Sequence, residues 1–283
     1  MLTACHSQWL GAGASSVSLV RCKLPCLDTR WRVRYATDRS VAPSSAQRMS
    51  AVACKRPTEN DAMNVLVIGA SRGIGLELVR QYRAEGCSVA ATARDEAGLA
   101  RIAALGARAL RLDVTDTASC AGLARQIDGA AFGIAWLVAG VYGPRTSALD
   151  APTEAEFDAV MHTNVLAAMR LLPQVAEALA AGAKLAVVSS RMGSITLRDS
   201  ASGWLYRASK AALNSVLKDV SITLAGRATC VALHPGWVRT DMGGAGAPLE
   251  VAQSVADLRA TVGALTPAQN GAFLNHDGQA LAW

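Results

Sequence analysis

Tyr206 and Lys210 stand four residues apart in the string Tyr206-Arg-Ala-Ser-Lys210, a spacing that puts both side chains on one face of a helix. A free phenol holds its proton up to a pKa of roughly 10, and an ammonium beside it favours the phenolate, so the pair suits proton transfer near neutral pH. Alone the spacing says little, because surface helices carry such pairs by chance. It gains meaning where a cofactor-binding strand, turn and helix lies upstream.

Such a unit begins at Met63. Met63-Asn-Val-Leu-Val-Ile68 reads as a short buried strand that leads into Gly69-Ala-Ser-Arg-Gly73-Ile-Gly75 and then the helical pattern Leu76, Val79, Tyr82 and Arg83. Gly69 suits the tight turn, Gly73 lets the backbone approach a ligand, and Gly75 permits close packing of helix on sheet. The first amides of that helix would receive a pyrophosphate. The competing reading is a purely structural turn, since the chain carries 24 glycines.

The elements that must position these residues alternate strand and helix. After the first strand come Ser88 to Ala93, Arg108 to Leu112, Ile134 to Ala139, Lys184 to Ser189, Thr229 to Leu233 and a short Ala272 to Asn275, with helical stretches between them. These runs are continuously apolar rather than alternating, as expected when both faces of a parallel sheet are covered. The expected fold is α/β, a doubly wound parallel sheet of about seven strands in a single domain spanning 63–283, with ligands beyond the carboxyl ends of the strands.

Composition sets the outer limits. At 283 residues, 51% hydrophobic and 18% charged, the chain can fill one large core. Its net charge of +6 is uneven: residues 1–62 hold nine Lys or Arg against four Asp or Glu, so the main domain is nearly neutral. Its dispersed arginines give no reason to expect a nucleic-acid partner. Residues 1–62 are rich in Ser, Arg, Ala and Val and lack a regular period; they read equally as an organellar transit peptide or as sequence upstream of a true start at Met63. The first reading implies a chloroplast or mitochondrion, the second the cytoplasm. A secretory peptide fits less well, because the basic residues follow the apolar run. Cys5, Cys22, Cys26 and Cys54 lie in the tail, while Cys87, Cys120 and Cys230 are scattered among apolar neighbours, so buried thiols are expected rather than a disulfide framework or a zinc site. No metal is expected. Arg170, Pro173 and Lys184 interrupt the longest apolar region, which leaves no stretch of membrane length.

The glycine string and the Tyr206/Lys210 pair, in that order, resemble the two motifs of the short-chain dehydrogenase/reductase family across 63–283, which implies a Rossmann-like fold. Within it the chain is similar to the small carbonyl-reductase and C-factor-like branch, through Ser189-Ser-Arg-Met-Gly193, His234-Pro-Gly-Trp-Val-Arg-Thr-Asp-Met-Gly243 and Gly271-Ala-Phe-Leu-Asn-His-Asp-Gly278. The resemblance implies that Ser190 hydrogen-bonds the substrate carbonyl, with Ser189 the less favoured neighbour. It implies that Asn164 holds a relay water near Lys210, against a local structural bond. Asp113 and Val114 would border the adenine. Pro235, Gly236, Val238 and Thr240 would close over the nicotinamide end, and Ser71, Ile74, Ala139 and Gly140 complete the cofactor set with the three glycines, Tyr206 and Lys210. Leu137-Val-Ala-Gly140 departs from the family's Asn-Asn-Ala-Gly, removing two amides that line the cleft.

For the cofactor, the end of the second strand carries Ala93 and then Arg94, with no carboxylate to grip ribose hydroxyls, and Arg72 adds a second guanidinium. Together they suit a 2′-phosphate, hence NADPH, with Asp95 as the dissenting acid. The reaction implied is reduction of a small aldehyde or ketone, with Tyr206 donating the proton, Ser190 orienting the oxygen and Lys210 lowering the phenol pKa. The glycine-rich stretch after Thr240 reads as a modest, mobile lid, and Tyr142, Met192, Trp204 and Trp237 are candidates to line an apolar site. Alanines 167, 168, 208, 211 and 212 would permit close helix pairing in a homodimer or homotetramer. The alternative function is a nucleotide-binding regulatory protein of the C-factor type with little turnover.

Overall fold

In the computed structural model, residues 63–145 and 149–283 are described. The readings of the tail, its cysteines included, fall outside that span. Seven parallel strands run β1 (Asn64–Ile68), β2 (Ser88–Ala93), β3 (Arg108–Arg111), β4 (Phe132–Leu137), β5 (Leu179–Val188), β6 (Ala228–His234) and β7 (Ala272–Asn275), in the spatial order β3-β2-β1-β4-β5-β6-β7. Among the described residues eight α-helices connect them: α1 (Gly73–Ala84), α2 (Glu96–Ala104), α3 (Thr117–Ala121), α4 (Leu123–Ile127), α5 (Glu154–Met161), α6 (Ala167–Glu177), α7 (Trp204–Thr223) and α8 (Val251–Ala264).

Strand alternation divides the core. Leu66 and Ile68 point into one layer with Leu110, Leu171, Leu185 and Phe273, while Val65 and Val67 point into the other with Leu78, Trp136, Val231 and Leu258. Both faces of the sheet are therefore buried, which is why its strands carry no polar alternation. Cys87, Cys120 and Cys230 are free and buried. In the second layer Trp136 Nε1 donates to the Tyr82 hydroxyl at 3.2 Å, and the Arg259 guanidinium lies 4.4 Å from the Tyr82 ring centroid.

The order reverses between β1 and β4. There the Ile68 carbonyl accepts from both the Val138 and Ala139 amides, at 2.9 and 3.1 Å. Leu137, in place of an asparagine, is buried in the first layer, so packing and main-chain bonds join the strands without side-chain amides. Gly69 (φ +89°) faces Ala139 so closely that a Cβ would lie 2.6 Å from the Ala139 nitrogen. Only glycine fits this turn.

The largest departures from the expected strand boundaries are in β5 and β4, the others shifting by at most a single residue. β5 starts five residues early, because Leu179 pairs with Phe132 before a register shift, and the small Ala180-Ala-Gly182 gives no apolar run to read. β4 ends at Leu137. Ala167 and Ala168 are buried within the chain's own core rather than on an outer face, so they are unavailable for helix pairing between subunits.

Truncation at the sheet centre gives a direct check on this core. Leu66→Ala, at a fully buried position of β1, is expected to lower unfolding free energy by about 2–5 kcal/mol, measured by urea titration.

Candidate active site

β5 ends at Val188, and the chain then turns through a single 3-10 turn, Arg191–Gly193, before α7. That turn rests directly on α7: a Cβ on Gly193 would come within 2.9 Å of the Lys210 carbonyl carbon. The contact brings Ser190 to Tyr206. Of the two serines, Ser189 is committed to the core, donating to Asn214 Oδ1 at 2.5 Å. Ser190 Oγ accepts from the Met192 amide at 3.1 Å and lies close enough to the Tyr206 phenol to oppose the upward push of burial on its pKa. Of the two serines, Ser190 is the one beside the Tyr206 phenol.

Tyr206 and Lys210 lie on the buried face of α7, 7% and 3% exposed. The Lys210 amine donates to the Val188 carbonyl at 3.0 Å and sits 5.7 Å from the Tyr206 ring centroid. Burial dominates both titrations. It pushes the phenol up to about 12, with the Ser190 bond opposing, and lowers the ammonium to about 8. A lysine next to the tyrosine does not by itself depress the phenol here, because desolvation outweighs it.

Asn164 occupies a π turn, His162–Leu166, inserted between α5 and α6. π turns recur at functional sites. Its side chain is fully engaged: Oδ1 accepts from the Val141 amide at 2.8 Å, and Nδ2 donates to the Val141 carbonyl and to Ser209 Oγ, both at 2.9 Å. It thus fastens the segment after β4 to α7. A Cβ on Gly140 would fall 3.2 Å from Asn164 Oδ1 and 3.3 Å from the Lys210 nitrogen, so these groups converge on one point.

The glycine turn forms the other side of the crevice. No side chain caps α1 and no acid occupies its first turn, which leaves the amides of Gly73, Ile74 and Gly75 to a ligand. Ser71 and Arg72 precede that helix start. Arg72 pairs with Asp241 (Nη1 to Oδ2, 2.9 Å), while Arg94 is exposed at the end of β2, its carbonyl accepting from Arg111. Asp95 does not oppose Arg94 from within the cleft, because its carboxylate caps α2 by accepting from the Gly98 amide at 2.7 Å. Asp113, just beyond β3, accepts from the Thr115 amide and hydroxyl, and those bonds hold it below the usual carboxylate range; Val114 packs partly against the core. Beyond β6, the Pro235 carbonyl accepts from Ser254 Oγ, Gly236 approaches Leu249 and His276, and Val238 is buried. The Thr240 hydroxyl accepts from the Gly243 amide.

This last segment is more than a loose lid. The Arg239 amide donates to the Leu249 carbonyl, Trp237 Nε1 to the Gly243 carbonyl, and Arg239 pairs with Glu250. Trp237 is 60% exposed, so it faces solvent rather than an enclosed apolar site. Tyr142 does line the site. Its ring stacks on that of Tyr206 (centroids 4.6 Å, 22° between planes), its hydroxyl and the Met192 methyl both crowd Gly203, and Arg145 covers its other face while donating to the Met242 carbonyl.

Sequence reasoning missed two contributors. Thr92 is buried within β2, and its hydroxyl accepts from the Gly69 amide at 3.0 Å, fixing the turn. The available signal was a hydroxyl in an otherwise apolar stretch. The π turn announces itself only as a five-residue step between buried Val160 and Val165. Among the described residues, no group of three or more His, Cys, Asp or Glu is arranged to hold a metal, and no helix is long and apolar enough to cross a membrane.

Comparison with known proteins matches residues 63–248 to a family model described as short chain dehydrogenase. The C-signal of Myxococcus xanthus is 37% identical over 123 residues, covering 42% of this chain and 74% of that protein. The 1-hydroxy-2-glutathionyl-2-methyl-3-butene dehydrogenase of Rhodococcus sp. (strain AD45) is 32% identical over 230 residues, 77% of this chain and 99% of its own. An NADPH-bound carbonyl reductase from chicken fatty liver superposes with a TM-score of 0.68 at 30% identity, covering 78% of this chain and 99% of that one.

The buried amine carries a pH signature. Burial lowers Lys210 from 10.5 to about 8, so across that window the unfolded chain holds a proton that the folded chain has released. Stability therefore rises with pH from about 8 to 10; above 10 the raised phenol acts in the opposite sense. The raised thiols of Cys87, Cys120 and Cys230 act in the opposite sense in the same window, so the lysine is isolated by difference: the stability of wild type relative to Lys210→Met, read by urea unfolding, should rise by about 2 kcal/mol between pH 8 and 10.

Proposed function

The chain belongs to the short-chain dehydrogenase/reductase family, and on that footing we propose that it reduces a small aldehyde or ketone to the alcohol, using NADPH. One observation carries the reading: the Ser190 hydroxyl, the Tyr206 phenol and the Lys210 amine meet at the carboxyl ends of the strands.

NADPH, when bound, supplies the hydride that adds to the carbonyl carbon. The Ser190 hydroxyl orients and polarises the carbonyl oxygen. Tyr206, kept protonated by burial, donates its proton to that oxygen as charge gathers there. Lys210 stabilises the phenolate left behind. Because the Asn164 amide is spent on Val141 and Ser209, the residue contributes by locking that wall, and a relay water would rest on its main chain.

Two features support NADPH. No carboxylate at the end of β2 is free to grip a ribose diol, since Asp95 caps α2, and Arg94 stands exposed there, while Arg72 just before α1 offers a second guanidinium once released from Asp241. The uncapped start of α1 suits the pyrophosphate. The reading extends to a domain over 63–283 that acts as a homodimer or homotetramer.

A second reading, a nucleotide-binding regulator, draws on the similarity to the C-signal. It leaves the assembled Ser190, Tyr206 and Lys210 without a purpose.

A carbonyl-compound screen following NADPH absorbance tests the proposal. Turnover is expected with at least one aldehyde or ketone, falling about 10²–10⁴-fold in Tyr206→Phe. Cofactor binding with no turnover of any carbonyl compound favours the regulator. Comparable activity with NADH removes the roles given to Arg72 and Arg94.

A further inference from the structure

Arg72 does not wait unpaired. As the residue just before α1, it crosses from the first strand-to-helix turn to the segment after β6, where its Nη1 meets Asp241 Oδ2 at 2.9 Å. Both side chains are about three-quarters exposed, at 74% and 75%. The approach is set by the backbone, because the Thr240 methyl would contact a Cβ on Gly73 at 3.5 Å. Asp241 is therefore carried to the glycine turn by its neighbour's packing, independently of the ion pair.

We infer that Asp241 is a specificity-determining residue that competes with the 2′-phosphate of NADPH for Arg72, an inference that rests on the cofactor reading above. A carboxylate and a phosphate oxygen satisfy the same guanidinium donors. When the phosphate takes Arg72, Asp241 loses its partner and stands as a like charge beside a dianion, and both effects disfavour NADPH alone. NADH has no such phosphate and leaves the pair intact. The carboxylate thus tempers the affinity that two arginines confer and recaptures Arg72 as the oxidised cofactor departs. The effect is modest, because an exposed pair contributes little.

Equilibrium titration of the full chain, read by nicotinamide fluorescence, tests the competition in wild type, Asp241→Asn, Arg72→Gln and the double variant, each with NADPH and NADH. Asp241→Asn is expected to tighten NADPH about two- to fivefold and to leave NADH unchanged, which also certifies the fold. The gain should disappear on the Arg72→Gln background and shrink in 1 M NaCl, where the screening length is about 3 Å. Unchanged or weaker NADPH binding in Asp241→Asn overturns the inference, because a carboxylate that merely closes the loop would weaken both cofactors when removed. A gain that persists without Arg72 overturns it too. If wild type binds both cofactors equally and Arg72→Gln is silent, the cofactor reading itself fails and takes the inference with it.

Discussion

The site depends on one close approach, that of Gly69 to Ala139 where β1 and β4 part company. The chain fills the sheet in one direction from β1 to β3 and in the other from β4 to β7, so the helices that follow β1 and β4 leave on opposite sides and a crevice opens between their loops. Ile68 spans the gap by accepting two amides, and Thr92 holds the turn from the other side. With this junction fixed, the glycine turn forms one wall and the Ala139–Val141 segment the other. Asn164 then ties the second wall to α7, which bears the phenol and the amine.

Burial, more than pairing, sets the chemistry of that phenol and amine. From residue types alone the ammonium is expected to lower the phenol. In the folded chain both groups are desolvated, and desolvation drives them toward their neutral forms. The tyrosine rests as a proton donor and the lysine as a cation held reluctantly. Charge developing on a carbonyl oxygen favours the ammonium and draws the phenol proton to itself, and the ammonium then stabilises the phenolate left behind. The poise of the pair belongs to the filled site, which is why it is not legible in Tyr206 and Lys210 alone.

The fold was largely legible because parallel strands buried on both faces leave continuous apolar runs, and six of the seven stood out within a residue or two. β5 escaped at its start because Ala180, Ala181 and Gly182 carry too little side chain to register. Among the candidate site residues, motif spacing pointed to Ser190, Tyr206, Lys210 and the glycines, which the fold brings to the ends of the strands, since those positions answer to local backbone geometry. Pairings between residues distant in sequence were hidden, even where one member, such as Tyr142, was itself a candidate. Asp241 opposite Arg72, and Tyr142 on the face of Tyr206, become neighbours only through the sheet's crossovers. The loss of two asparagines at 137 and 138 looked like a weakness, yet Leu137 contributes to the core what an amide would have contributed to the cleft.

The π turn at His162–Leu166 adds one residue to an otherwise continuous helical path from Glu154 to Glu177. Each residue in an α-helix advances the side chains by about 100°, so the extra one rotates everything after it relative to everything before. Asn164 reaches Val141 and Ser209 while Leu171, Leu172 and Val175 still face the core. Deleting any single residue between Glu154 and Asn164 would let the helix close into a regular spiral and, in doing so, turn either the asparagine or the leucines away. The fold constrains the length of this stretch more tightly than its letters.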